Sequence, residues 1–137
     1  MSDVLVQPVQ ARLIVRTTAA LPLTAVLRYD RADPLAIHAS FPAESSLDGA
    51  EVDWVFAREL LRAGLHAPAG DGDVRLWPGG RVHTMLELHT PEGMALVELR
   101  RAELRYFLRR CDAAVPRGQE DLGGDLDSGL AALLGGV

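Results

Sequence analysis

Lysine and asparagine are missing from this sequence, cysteine occurs once, and aromatic residues make up only 5% of it. Each scarcity closes a line of interpretation. A single thiol, Cys111, cannot form an intrachain disulfide. The glycine-rich "GDGDVRLWPGG" lacks the Gly-Lys-Ser/Thr ending of a phosphate-binding loop and leads into an extended run instead of a helix. Few aromatic rings mean few platforms on which the bases of a single strand could stack. No window approaches the roughly 20 consecutive apolar residues that span a bilayer. The start, "MSDVLVQPVQARLIV", alternates apolar with polar residues where a secretory signal would place a charged segment and then an apolar one. A soluble cytoplasmic protein is expected. All 14 basic residues are arginine, the mark of a coding sequence that avoids A-rich codons.

At 137 residues and 14.8 kDa the chain fits one domain, expected over residues 1–116, followed by a glycine-rich acidic tail over 117–137. Apolar residues are 48% and charged residues 24%, the balance of a folding chain. Net charge is −5, and without residues 117–137 the remaining 13 arginines face 15 acids, a balance of −2. A general nucleic-acid binder would be more basic.

The hydrophobic period predicts the architecture. Val9, Ala11, Leu13 and Val15 alternate with polar residues, as do Leu23, Ala25, Leu27 and Tyr29, and then Leu35, Ile37, Ala39 and Phe41. These read as three half-buried antiparallel strands. In "EVDWVFARELLRAGL" the period turns helical: Val52, Val55, Phe56 and Leu60 share one stripe, Asp53 lies near the N-terminus and Gly64 ends the helix. Trp54, Leu61 and Leu65 form a second apolar side, for core packing or for self-association. Three further extended runs, "DVRLW", "RVHTMLELHT" and "MALVEL", are separated by "PGG" and "TPEG". Leu104, Phe107, Leu108, Cys111 and Val115 then make an amphipathic helix ended by Pro116. The fold class is α+β, in the order βββα-βββα, without a residue-level repeat between the halves. In the tail, six glycines and four acids suggest mobility. Leu126, Leu130, Leu133 and Leu134 nevertheless follow Asp125 at the spacing of a short docking helix.

No constellation of reactive residues stands out. His83, Glu87 and His89 share a strand face, but at about 3.3 Å per residue His83 lies roughly 13 Å from Glu87, leaving only Glu87 and His89 able to share an ion. Asp30 and Asp33 flank an Asp-Pro turn and have backbone N–H groups to bind. His38 sits on the strand face opposite Phe41. Cys111 falls on the buried stripe of its helix and reads as a small core residue. Arg101, Arg105 and Arg109, spaced by four and flanked by Arg100 and Arg110, make a basic ridge. Such a ridge is usually a solvated helix face, and a phosphate-binding one would indicate a single-stranded nucleic-acid-binding module. No catalytic, cofactor-binding or metal site is assigned.

Taken together, "LRYDRADPLAIHASF", "VDWVFARELLRAGLHAPAGDGDVRLWP", "TPEGMALVEL" and "FLRRCDAAVPRGQE" resemble the SsgA-like family of sporulating actinobacteria over nearly the whole chain. The tail "DLDSGLAALL" is similar to the end of the SsgB branch. Leu35 stands where that branch often has tyrosine, and "PGGRVHTMLEL" departs from its hairpin. The resemblance implies a non-enzymatic regulator of sporulation-specific cell division, acting at the division septum with the tubulin-like protein FtsZ and an SsgA-type paralogue. It also implies a trimer of Whirly-like topology, and no cofactor. Protein contacts are expected at the tail leucines Leu130, Leu133 and Leu134, and at Trp54 and Leu61.

Overall fold

The computed structural model describes residues 4–16, 19–42, 51–91 and 93–119. Its framework is one antiparallel sheet of seven strands: β1 (Val4–Arg16), β2 (Ala19–Asp30), β3 (Ala36–Phe41), β4 (Val52–Ala57), β5 (Val74–Gly79), β6 (His83–Thr90) and β7 (Gly93–Arg100). Helix α1 (Arg58–Gly64) follows β4 directly and helix α2 (Arg101–Ala114) follows β7 directly. The strand order β4-β3-β2-β1-β7-β6-β5 joins two meanders side by side. The join is short. β1 pairs with β2 from Val4↔Asp30 to its far end but with β7 only from Ala11↔Leu99 to Ile14↔Leu96.

The half of β1 that β7 leaves uncovered is closed by α2 instead. Gln10 N–H donates to Glu103 Oε2 at 3.2 Å, Gln7 Nε2 donates to the Glu103 carbonyl at 3.1 Å, and Arg110 Nη1 donates to Gln7 Oε1 at 3.0 Å. Covering a sheet edge with a helix removes a template for unwanted strand pairing. Pro8, with no N–H to offer a neighbouring strand, falls in this stretch.

Both helices lie against one face of the sheet. Val9, Ala11, Ala25, Leu27 and Ile37 meet Leu61 from α1 and Leu104, Phe107, Leu108 and Cys111 from α2 in one core. The stripe expected of the last helix is therefore the buried one, and Val115 packs just beyond its end. α1 approaches β5 closely at Gly64, where a Cβ would stand 2.4 Å from Leu76 Cβ.

Two expectations are corrected. The helix expected from about Asp53 begins only at Arg58, because Val52–Ala57 is a fourth strand paired with β3 from Phe41↔Val52 to Ala36↔Ala57. The first half is thus ββββα. Trp54 and Phe56 turn toward the core while Asp53, Val55 and Ala57 are exposed, a period of two. β-branched and aromatic side chains suit a pleated surface, and the backbone pairing on offer outweighed the apolar stripe. Asp53 consequently caps no helix; its carboxylate accepts from Ser40 Oγ and lies 3.5 Å from Arg28 Nη2, across β4, β3 and β2. The second correction concerns Val15, which is exposed next to an irregularity in pairing between Ile14 and Arg16.

The turn from β4 into α1 is organised around Arg58, which is fully buried. Its N–H donates to the Leu35 carbonyl at 2.8 Å. Its guanidinium donates to the Val115 carbonyl at 2.7 Å and to Tyr29 Oη at 3.2 Å, and approaches Asp112 at 3.5 Å. Truncating one member of such a buried network strands the others, so Arg58→Ala is expected to destabilise the fold by about 3 kcal/mol in chemical denaturation. Gly64→Ala, which forces α1 off β5, is expected to cost about 1–3 kcal/mol in the same measurement.

Candidate functional site

The residues of catalytic type are occupied with one another. In the Tyr29–Phe41 connection, Ala32 N–H donates to Asp30 Oδ1 at 2.9 Å and Asp33 N–H donates to the Asp30 carbonyl at 2.9 Å, a hydrogen-bonded turn as read from the Asp-Pro pair. Tyr29 Oη donates to the Pro34 carbonyl at 2.9 Å and ties this turn to the core. His38 Nε2 lies 3.8 Å from Asp33 Oδ2, a pairing that strand alternation alone does not disclose.

On the face of the sheet opposite the helices, Glu87 Oε2 meets His89 Nε2 at 2.8 Å and Arg75 Nη1 at 3.6 Å. A guanidinium therefore supplies the positive charge beside this carboxylate. His83 turns elsewhere, to Glu98 at 3.6 Å, and Glu98 also faces Arg12 at 3.5 Å. Arg75 with Glu87 and Arg12 with Glu98 are cross-strand neighbours in register, His83 reaches Glu98 on the diagonal and His89 is two residues from Glu87 in β6, contacts of the kind that line a polar sheet face.

Cys111 is fully buried, and desolvation pushes its thiol up to about 12 from an ordinary value of 9.0, more than nearby Arg58 and Arg110 pull it down. A thiol held protonated is a poor nucleophile. Arg62 donates end-on to Asp112 through Nη1 at 2.9 Å and Nη2 at 2.8 Å, and through Nε to Glu59; the hydrogen bonds to Asp112 do most to raise its guanidinium above the usual range. This bidentate pair fastens α1 to α2. Neither Arg58 nor Arg62 was singled out from the sequence. In "FARELLRAG" both look like solvated positions, and the acid that binds them is about fifty residues away.

The candidate interaction residues divide. Trp54 lies half-buried on β4, on the core side of the sheet, and not on a helix as expected. Leu61 is 1% exposed and belongs to the core of the chain itself. Leu130, Leu133 and Leu134 lie outside the described residues. Sequence reasoning did not pick out the face of the sheet that neither helix covers. There the register sets Trp77 opposite Met85, and Ile14 opposite Leu96, among the ion pairs of Glu87 and Glu98, all part-exposed. Val55 is 53% exposed on the same side of β4. This is an open surface of mixed apolar and charged side chains.

Comparison with known proteins decides the family. The family described as Streptomyces sporulation and cell division protein, SsgA, matches residues 23–120. The chain belongs to this family. It is 49% identical over 128 residues to the sporulation-specific cell division protein SsgB of Streptomyces coelicolor, covering 90% of each chain. With the SsgB of Salinispora tropica it shares 48% over 128 residues, covering 91% of this chain and 89% of the relative. Among solved structures it resembles an SsgA-like sporulation-specific cell division protein from Thermobifida fusca, with a TM-score of 0.81 and 38% identity over 95% of each chain. It also resembles an SsgB structure solved in connection with mutations that correlate to longitudinal cell division during sporulation of S. coelicolor. That likeness has a TM-score of 0.78 and 44% identity, and covers 88% of this chain and 94% of the other. The SsgA-family fold is thus the α+β sheet described above, and among the described residues no helix is long and apolar enough to cross a membrane.

The buried thiol yields a two-part expectation. Cys111 should resist a thiol reagent at pH 8 in the native protein and react on unfolding. Because its folded pKa is raised above the unfolded one, stability should be unaffected below pH 9.0 and fall as pH rises from there toward 12. Urea midpoints of wild type and Cys111→Ala across that interval check this; an equally steep decline in both would mean the thiol contributes nothing.

Proposed function

We propose that this chain is a non-enzymatic adaptor in sporulation-specific cell division, an oligomer that positions FtsZ at future septa together with an SsgA-type paralogue. The observation that carries the reading is similarity, over 90% and 91% of the chain, to SsgB proteins named for sporulation-specific division. Physical support comes from the open sheet face, which offers contact area without a reactive group. Its carboxylates Glu87 and Glu98 each face an arginine of the adjacent strand, and His89 and His83 stand against the same two carboxylates. Recruitment needs complementary surface and valency, and an oligomer multiplies weak contacts into avidity.

In this reading the domain over residues 1–116 is the rigid body, a trimer in solution, and residues 117–137 are its partner-binding extension through Leu130, Leu133 and Leu134. The protein works in the cytoplasm, at the septum. Deleting residues 123–137 should sharply reduce FtsZ capture in a pull-down while leaving the unfolding midpoint unchanged. Undiminished capture by the shortened chain would remove the tail from the proposal. Sedimentation that finds only a 14.8 kDa species at micromolar concentration would remove the oligomer.

A further inference from the structure

The exposed arginines of α2 line a shallow cleft of about 360 Å³ together with the β5–β6 turn, bounded by Arg81, Val82, Arg101, Ala102, Arg105 and Arg109. Arg101 is spent on structure: its guanidinium donates to the carbonyls of Gly80 at 2.6 Å, His83 at 3.0 Å and Arg81 at 3.1 Å. Arg81, Arg105 and Arg109 are exposed and have no carboxylate within ion-pair distance among the described residues. Elsewhere arginines pair freely, with Arg12, Arg28, Arg58, Arg62, Arg75 and Arg117 each facing an acid. Among the described residues Arg31, Arg100 and Arg110 also lack an acid at that distance, but Arg81, Arg105 and Arg109 stand together on one cleft, in a chain of net charge −5.

The same chain carries the complement. Beyond Arg117 there is no basic residue, and Glu120, Asp121, Asp125 and Asp127 leave this segment four charges negative. It departs from the C-terminal end of α2, whereas the cleft spans from the middle of that helix to its N-terminal end. From Ala114 back to Arg101 the helix is about 20 Å long at 1.5 Å per residue. Eight residues from Glu120 onward reach about 26 Å when extended. A segment doubling back along α2 would bring Glu120 and Asp121 toward Arg109, and Asp125 and Asp127 toward Arg105 and Arg81. Val82, 59% exposed at the far end of the cleft, offers an apolar contact for the leucines that follow.

We propose that the acidic C-terminal segment, residues 120–137, docks into this arginine cleft of its own chain. The inference rests on the cleft and on the charge of the tail, and does not require the adaptor reading. Tethering makes the contact effectively intramolecular, so individually weak exposed ion pairs suffice at low salt and are lost on screening.

The test is paramagnetic relaxation in the full chain. Ser128→Cys accepts a nitroxide while buried Cys111 does not. At low salt the amide signals of Arg81, Val82, Ala102 and Arg105 should lose about half their intensity and regain it near 0.5 M NaCl, where the screening length is only about 4 Å. Adding Arg105→Glu and Arg109→Glu to the labelled chain should restore those signals at low salt. Unbroadened cleft signals at low salt would overturn the proposal, as would broadening that survives the double charge reversal. A co-refolded mixture of isotope-labelled chain without nitroxide and spin-labelled chain without isotope separates the sources: equal broadening there would show a tail from another copy. Cleft signals indifferent to the nitroxide but shifted by an oligothymidylate would assign the arginines to nucleic acid instead.

Discussion

The guanidinium of Arg58 is the point on which the architecture turns. Burying an arginine is costly unless its charge is met and its donors are used, and here the partners come from distant segments: Tyr29 lies next to the end of β2, Asp112 lies in α2, and Val115 follows α2. The Arg58 guanidinium also sits 5.7 Å from the Tyr29 ring centroid, so the aromatic face contributes to holding the charge. One side chain thus ties the first meander to the helix that closes the second. The join between meanders needs such help, because the direct β1–β7 pairing covers only four residues of each strand. Arg62 with Asp112 and Glu103 with the β1 edge add to the same closure from either side.

How far the sequence discloses this structure depends on where the information resides. Strands with one wet face declare themselves by alternation, and α2, with Leu104, Phe107, Leu108 and Cys111 on its buried side, declares itself by its period. β4 did not, because six residues are too few to separate a period of 2 from one of 3.6, and its pairing with β3 is a tertiary fact. A seven-residue helix such as α1 is also too short to be stable without tertiary support. Arg58 was illegible for a different reason: a buried cation looks like a surface one until its partners, about thirty to fifty-seven residues away in sequence, are brought together. The hydrophilic turn at Asp30 and Asp33 was legible because its chemistry is local, with Asp30 accepting from Ala32 and Asp33 N–H groups, although the Asp33 carboxylate faces His38 and not the backbone.

The candidate site was less legible than the fold. Trp54 and Leu61 were sought on the second side of one helix, and the structure divides them between a strand and the core. The open face carrying Trp77, Met85, Leu96 and Ile14 is assembled from four strands across both meanders, and no window of sequence contains it. Interaction surfaces of this kind follow from topology, whereas catalytic sites can betray themselves by residue type.

Burial and charge are distributed to consistent ends. Where arginine serves structure, an acid or a carbonyl stands against it, as at Arg58, Arg62 and Arg101. Where acids serve the outer sheet face, each is answered by an arginine or histidine of a neighbouring strand, which keeps that face nearly neutral and leaves its apolar side chains to set the contact. A neutral, part-apolar face gives little long-range electrostatic steering. The α2 cleft has the opposite character, with cations unanswered among the described residues. The two surfaces lie on opposite sides of the sheet, so salt screens the field of one and leaves the other nearly unchanged.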